Sequence, residues 1–300
     1  MSAPTDLRVG LVSARPLPPS LVDHARSLLA TRTSGAVTGA GTSRPGFFGH
    51  AWTAVVDDAA GGAPALAEEL RGPATALGVD VAVTTGALVA DGIGLLVTDV
   101  DSTFITDEVI ELLAEHAGTR AEVAAVTERA MRGEIDFAES LRDRVATLAG
   151  LDAGVVDVVR QAVRLTDGAR DLVAAVHAGG GRVGLVSGGF AEIITPVAAE
   201  LGIAHLAANR LEVAGGRLTG RTVGPVVDRA AKADLLRAWA AEDGVAIDRV
   251  VAVGDGANDL DMLAAAGLGV AFCAKPVVRE QAAASISFPR LDAVLGLLGR

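Results

Sequence analysis

Several residue types are missing or scarce in this chain of 300 residues. It has no tyrosine, one cysteine and an aromatic content of 3%. A single cysteine excludes an intrachain disulfide framework and a metal site built from several cysteines. Because Cys273 follows the apolar run Val270–Phe272, we expect a buried, unreactive thiol. The five histidines lack ligand spacing to one another, which argues against a zinc site of the usual kind.

Lysine is also scarce. Lys232 and Lys275 are the two lysines among 26 basic residues, and 37 acidic residues bring the formal net charge to −11. This acidic balance argues against nucleic acid or an anionic membrane as a partner. The sequence has no apolar stretch of about 18 residues and no signal-peptide pattern at its N-terminus. We therefore expect a cytoplasmic protein that binds no membrane.

The length predicts about two domains. Residues 1–86 show the order β-α-β-β-α-β, which is typical of a ferredoxin-like α+β domain. The predicted strands are Leu7–Ser13, Gly35–Ala40, Ala51–Val56 and Val79–Thr84, and the predicted helices are Ser20–Ala30 and Pro64–Leu77.

Residues 87–300 show a different pattern. Short apolar runs alternate with helices rich in Ala and Leu, which is typical of a Rossmann-like parallel sheet covered on both faces. The stretch between the first two runs is too long for a simple crossover and predicts an inserted helical cap at about residues 104–165. A hairpin is predicted at Leu206–Val213 and Arg217–Val223. The apolar runs are Ile93–Val100, Arg182–Val186, Arg249–Val253 and Leu268–Phe272.

Short polar groups follow three of these strands. In an open parallel sheet such groups meet in one cleft beyond the carboxyl ends of the strands. Crowded carboxylates repel one another, and hard oxygen ligands without paired His or Cys suit Mg²⁺. Taken singly, each aspartate is equally compatible with a helix cap or a turn. The polar residues are Asp99, Asp101, Ser187, Gly188, Gly189, Asp255, Asn258 and Asp259.

Two basic residues stand in unusual places. If Asp228 caps the helix that runs to Ala241, Lys232 lies in its first turn, where the helix dipole disfavours a cation. Carboxylates and phosphate are the expected partners, and a solvated lysine is the alternative. Arg144 falls about 20° from Phe137 on an apolar helix face. It needs either an anionic ligand or an acid of the cap. Lys275, before Pro276, is interpreted as a surface lysine.

Together these motifs resemble those of the haloacid dehalogenase superfamily over about residues 90–290, and most closely its group that acts on phosphoserine. The resemblance implies Mg²⁺-dependent hydrolysis of O-phospho-L-serine, the last step of serine biosynthesis, through an aspartyl-phosphate. It implies that Asp99 is the nucleophile and Asp101 the general acid and base. It also implies a metal held by Asp99, Asp255 and the backbone carbonyl of Asp101, with Asp259 in support.

The resemblance also implies how the substrate is bound. Phosphate would be held by Ser187, Gly188, Lys232 and Asn258. The substrate ammonium would be bound by Glu108, its carboxylate by Arg144, and its remaining surface by Met131, Phe137 and Gly189. Judged alone, Glu108 is also explained as an acid favoured by the dipole at a helix start.

The element order of residues 1–86 resembles an ACT-like module. The first loop, Ala14–Pro19, lacks the Asp/Asn–Gly pattern that usually contacts an amino acid, so dimerisation or packing is preferred over serine binding. A homodimer through this domain is possible. Two other functions stay open: phosphate transfer to another alcohol such as homoserine, and a non-catalytic amino-acid sensor.

Overall fold

The structure is a computed structural model that describes residues 5–33, 35–56, 59–131 and 134–300. These residues form one four-stranded sheet and one seven-stranded sheet. Within them, no helix has both the length and the apolar character needed to cross a bilayer.

The small sheet is antiparallel, with the strand order β2-β3-β1-β4. The predicted element order is correct, but β2 and β3 are longer than predicted because the turn between them is tight, with Gly46 at φ 90°. The strands are β1 (Thr5–Ser13), β2 (Thr38–Arg44), β3 (Phe47–Val56) and β4 (Asp80–Thr85), and the helices are α1 (Pro19–Ala30) and α2 (Ala59–Ala76).

Alternate residues of β1 cover opposite faces of the small sheet, as the period of a strand requires. Val9 and Leu11 pack in the core with α1 and α2. On the other face, Val12 joins the core of the large sheet together with Leu295 and Leu297. Both faces of the small sheet are therefore buried at β1, whereas its edge strand β2 is mostly exposed.

The large sheet has the order β11-β10-β9-β5-β6-β7-β8, and its neighbouring strands are parallel except for the β7–β8 hairpin. The predicted α/β class, with an antiparallel small sheet before it, is confirmed. The strands are β5 (Leu95–Thr98), β6 (Arg182–Phe190), β7 (His205–Ala214), β8 (Arg217–Val223), β9 (Val250–Gly254), β10 (Leu268–Phe272) and β11 (Ala284–Ile286).

Three details differ from the predicted strands. β5 is only four residues long, because the chain turns away at Asp99. β6 continues to Phe190, since its pairing with β7 resumes after an irregularity at Ser187. β11 was not predicted; its three residues are too few for a periodic pattern.

Helices α4 to α7 lie between β5 and β6 in the chain, where only helices were predicted. The β7–β8 hairpin packs against α6, and Gly150 N–H donates to the Leu218 carbonyl. The helices after β4 are α3 (Ala87–Ala90), α4 (Val109–Ala117), α5 (Arg120–Met131), α6 (Phe137–Ala146), α7 (Val155–Ala162), α8 (Ala169–Ala178), α9 (Ala191–Glu200), α10 (Arg229–Glu242), α11 (Leu260–Ala265), α12 (Pro276–Gln281) and α13 (Ala293–Leu297).

Candidate active site

The end of β6 and the loops after β5 and β9 meet at one edge of the large sheet, below α4 and α6. They border a cavity of about 570 Å³. Of the residues proposed from the sequence, Ser187, Lys232 and Asp259 lie fully buried nearby. The proposed residues that line the cavity are Asp99, Asp101, Glu108, Phe137, Arg144, Gly188, Gly189, Asp255 and Asn258.

The loop after β5, Val100–Phe104, is an irregular turn in which Asp101 is extended and Ser102 takes a left-handed φ of 55°. This turn connects the sheet to the start of α4. Asp101 Oδ1 accepts from the Val109 N–H at 2.8 Å, and the Ser102 hydroxyl donates to Glu108 Oε1 at 2.7 Å. The carboxylates of Asp101 and Glu108 are thereby held at the same end of the cavity.

Lys232 is fully buried below this loop. Its Nζ donates to Asp99 Oδ1 and to Asp259 Oδ1, each at 2.6 Å. The Asp228 side chain caps α10 by accepting from the Ala231 N–H, as predicted, and this places Lys232 in the first turn. Burial alone would lower the pKa of Lys232, but Asp259 and Asp99 raise it above its ordinary value. A solvated lysine is thus the wrong reading of Lys232.

Three carboxylates crowd around this lysine. One oxygen from each of Asp99, Asp255 and Asp259 lies within 4.8 Å of the others. Burial and then Asp259 raise the pKa of Asp99 well above its usual range, and the same two causes raise the pKa of Asp255 to about 6. One ammonium does not neutralise three carboxylates, so the cluster favours a further cation. Its hard oxygen donors fit a divalent metal.

The irregular end of β6, residues Ser187–Gly189, lies directly against Asp101. The Gly189 N–H donates to Ser187 Oγ at 2.7 Å, and the Ser187 hydroxyl donates to Asp101 Oδ2 at 3.0 Å. A Cβ on Gly189 would lie 2.5 Å from Asp101 Oδ2, and a Cβ on Gly188 would lie 2.9 Å from the Phe137 ring. Both glycines are needed because other groups approach the backbone so closely.

The upper part of the cavity carries two acids of the cap, Glu108 and Glu111, and one base, Arg144. Burial, and then Asp101, raise the pKa of Glu108 to about 7. Arg144 is half-buried, its Nε donates to the Ser140 carbonyl, and burial lowers its pKa. Among the described residues, no ion pair within 4.0 Å involves Arg144, so the predicted alternative of a cap acid as its partner is not found there. Arg142 is exposed, as its helical position predicts.

The family comparison supports the reading of this site. A model described as haloacid dehalogenase-like hydrolase matches residues 96–264, more than half of the chain. The chain belongs to this family. The matched segment of this haloacid dehalogenase-like hydrolase includes the loop after β5, the end of β6 and the loop after β9.

Two relatives of this hydrolase carry the name phosphoserine phosphatase. It is 58% identical over 234 residues to a phosphoserine phosphatase of Streptomyces coelicolor, covering 78% of this chain but 57% of that protein. It is 50% identical over 205 residues to a phosphoserine phosphatase of Streptococcus thermophilus, covering 68% of this chain and 95% of that protein. The chain thus spans little more than half the length of the first relative.

A solved structure shows the same fold. It is described as a phospho-aspartyl intermediate analogue of phosphoserine phosphatase. It is 38% identical to this hydrolase, with a TM-score of 0.64 over 68% of this chain and 97% of that one. The haloacid dehalogenase resemblance predicted from the strand-end motifs is therefore confirmed.

The sequence patterns did not identify some residues near the site. Buried Asn209 on β7 donates to the Gly188 carbonyl and accepts from the Val227 N–H, so it fixes the irregular end of β6. A polar residue within a strand pattern was the available signal. Lys275 is exposed, as predicted, but it also lines the cavity with Val277.

One prediction about this region was wrong. Cys273 is exposed rather than buried, and its φ of 46° is left-handed. It lies one residue beyond β10, where the chain leaves the sheet, so the apolar run before it ends at Phe272. The side chain of Met131 lies outside the described part of the structure.

Proposed function

We propose that this hydrolase converts O-phospho-L-serine and water into L-serine and phosphate, with Mg²⁺ as its metal. The observation that carries the proposal is a single cavity holding Asp99 and Asp101 at its base and Glu108 and Arg144 above them. The base suits phosphoryl transfer, and the upper pair suits a substrate with an ammonium and a carboxylate. The names of the relatives support the same substrate.

Asp99 is the proposed nucleophile. Its carboxylate attacks phosphorus, the bond between phosphorus and the seryl oxygen breaks, and an aspartyl-phosphate forms. Water then releases phosphate and restores the carboxylate, so one difficult displacement becomes two easier ones. Lys232, at 2.6 Å from Asp99 Oδ1, favours the ionised carboxylate and then the negative charge that the phosphate brings.

Asp101 is the proposed general acid and base. Burial raises the pKa of Asp101, which favours the protonated form that must donate to the leaving seryl oxygen. The same group then accepts a proton from the attacking water. Its hydrogen bonds to Val109 N–H and Ser187 fix its orientation, two residues from the nucleophile.

The metal fits the acidic cluster described above. Asp99, Asp255 and the backbone carbonyl of Asp101 would hold Mg²⁺, and Asp259 would support them while binding Lys232. The ion would supply positive charge that offsets the phosphate oxygens. Thr103 donates to Asp255 Oδ1 at 3.1 Å and so orients that carboxylate.

Substrate binding follows from the lining of the cavity. Glu108 would bind the ammonium and Arg144 the carboxylate, whose shape matches a guanidinium. The residues that would bind phosphate are Ser187, Gly188, Lys232 and Asn258, and those that would contact the rest of the substrate are Met131, Phe137 and Gly189.

The proposal extends to the rest of the chain. Residues 1–86 are assigned to an ACT-like domain with a packing role, and residues 87–300 to the phosphatase domain with its cap at about 104–165. A homodimer through the first domain and a cytoplasmic location belong to the same proposal. The packing of Val12 and Phe47 in the core of the large sheet supports the packing role.

The test is phosphate release from L-phosphoserine, D-phosphoserine and a sugar phosphate, with and without Mg²⁺. We expect Mg²⁺-dependent release from L-phosphoserine, and its loss in Asp99→Asn. Asp261→Asn is the matched control, since Asp261 is a partly exposed aspartate paired with Arg229 outside the cavity. Full activity of Asp99→Asn, or no release from L-phosphoserine, would overturn the proposal.

A further inference from the structure

The short helix α12 forms a wall shared by two cavities. Lys275, at its N-cap, and Val277 line the active-site cavity. Pro276 and Arg279 line a second cavity of about 450 Å³, whose opposite side is formed by α2 and β4 of the small sheet. The position of α12 therefore depends on groups from both sheets.

Within the large sheet, α12 is held by its buried residue Val278, which belongs to the core there, but by few backbone hydrogen bonds. A helix of six residues is too short to be stable by itself in water. The strand that follows it, β11, has three residues and pairs with β10 alone. One further backbone bond, from the Cys273 N–H to the Ile286 carbonyl at 2.8 Å, closes the segment between β10 and β11.

Asp80 of the small sheet adds polar contacts to this apolar anchor. It is only 3% exposed, and it lies at the start of β4. Its Oδ1 accepts from the Ser285 hydroxyl at 3.0 Å, and its Oδ2 accepts from the Ser287 N–H at 2.7 Å and from the Ser287 hydroxyl at 2.8 Å. A buried carboxylate is costly without donors, and these three donors all come from β11 and the residue after it.

We propose that Asp80 is a positioning residue for the active site: by holding Ser285 and Ser287 it fixes α12 as a wall of the substrate cavity. The small sheet then contributes to substrate binding without contacting the substrate. This inference rests on the proposed function for its kinetic consequence, but not for its structural one.

The kinetic test compares Asp80→Ala with the unaltered chain. Loosening α12 weakens binding in the ground state and the transition state alike, which raises KM and leaves kcat unchanged. We expect KM for L-phosphoserine to rise about tenfold, with kcat within about a factor of two, since Asp99, Asp101 and Lys232 lie on other elements. Ser285→Ala removes one of the three hydrogen bonds and is expected to raise KM by less.

Arg8→Gln is the matched control. Arg8 Nη1 donates to the Leu298 carbonyl at 2.6 Å, so it also joins the small sheet to the large one, but beside α13 rather than α12. We expect Arg8→Gln to leave KM unchanged. An equal rise in KM in both variants would mean that any loosened contact between the sheets has this effect, and would overturn the assignment to Asp80.

The structural test needs no substrate. Amide hydrogen exchange, followed by mass spectrometry, is expected to become faster in residues 275–283 of Asp80→Ala and to stay unchanged there in Arg8→Gln. If Asp80→Ala does not fold, Ser285→Ala decides by the same measurement. Unchanged exchange in α12 of a folded variant would overturn the inference, whether or not the protein hydrolyses phosphoserine.

Discussion

Arg144 shows how a single side chain can reveal a ligand. It lies on the buried side of α6 beside Leu141 and Val145, where a charge without a partner is costly. Its position on the apolar face could be predicted from helical spacing alone. That no acid of the described cap lies within 4.0 Å of its guanidinium, although Glu108 and Glu111 are near enough to raise its pKa against the lowering effect of burial, needed the structure, because such distances depend on how helices are placed relative to one another.

Replacing Arg144 by alanine tests this reading. We expect KM for L-phosphoserine to rise by about ten- to a hundredfold, since a hydrogen bond to a charged group contributes about 1.5–3 kcal/mol. For phosphoethanolamine, which lacks the carboxylate, KM is expected to rise much less. Arg142→Ala, two residues away and exposed, serves as the control. Equal losses for both substrates would contradict the assignment.

Cys273 shows that accessibility and reactivity are separate properties. The residue is exposed, yet partial burial of its thiol, followed by Asp80 and Asp255, raises the pKa of the thiol to about 11. The thiolate is the reactive species, and at pH 8 it would be about two orders of magnitude scarcer than in free cysteine.

Alkylation with iodoacetamide in metal-free protein measures this difference. The rate at pH 8 is expected to be roughly a hundredfold below that of free cysteine and to increase up to about pH 11. Because the chain has one cysteine, the mass of the intact protein reports the reaction at Cys273 alone. A plateau near pH 9 would contradict the raised pKa.

Among the elements, α10 is unusual because its first turn carries a fully buried cation, Lys232. The capped start at Asp228 fixes where Lys232 points, and two carboxylates offset the unfavourable helix dipole. The space around Lys232 Nζ fits a compact ammonium, which donates hydrogen bonds of 2.6 Å to Asp99 and Asp259.

Substitution of the two lysines by arginine separates charge from shape. Lys232→Arg keeps the charge but adds a planar group to a closed site, so we expect kcat to fall by about a hundredfold or more. Lys275→Arg is expected to retain activity, since Lys275 is exposed. Measured kcat values with L-phosphoserine check this, and an active Lys232→Arg would show that shape at this position is unimportant.

Elements differed in how well the sequence predicted them. The motifs after β5, β6 and β9 stand next to apolar strands, so their meeting at one sheet edge follows from the parallel topology. The residue-by-residue roles proposed for them stay predictions. β11 and the exposed Cys273 were not foreseen, because they depend on where β10 ends and on Asp80, which is distant in the sequence.

Across the whole molecule, one face of the small sheet shares a core with the large sheet, while its other face packs with α1 and α2. Val12 and Phe47 of the small sheet belong to the same buried cluster as Leu295 and Leu297 near α13. An element order can be predicted from the local pattern, but this joint core could not be, because it unites residues almost 300 positions apart. We therefore expect a single cooperative unfolding transition by calorimetry.

Gly10→Ala probes the joint core directly. A Cβ at Gly10 would lie 2.0 Å from the Leu297 carbonyl oxygen, so we expect a loss of about 1–3 kcal/mol in the free energy of unfolding. Gly72→Ala, in α2 with nothing within 4 Å of the added atom, is expected to be neutral or stabilising. Two separate transitions in the unaltered chain, or an unchanged Gly10→Ala, would contradict a shared core.

The packing of α13 on the small sheet has a consequence for biosynthesis. Leu298, the partner of Arg8, lies 213 positions after the end of the small sheet at Thr85, a separation that takes about 11–43 s to translate at 5–20 residues per second. Throughout that interval one apolar face of a finished sheet has no permanent cover, and it is available to chaperones or to other nascent chains. The same contact that unites the mature molecule thus makes the growing chain vulnerable to aggregation.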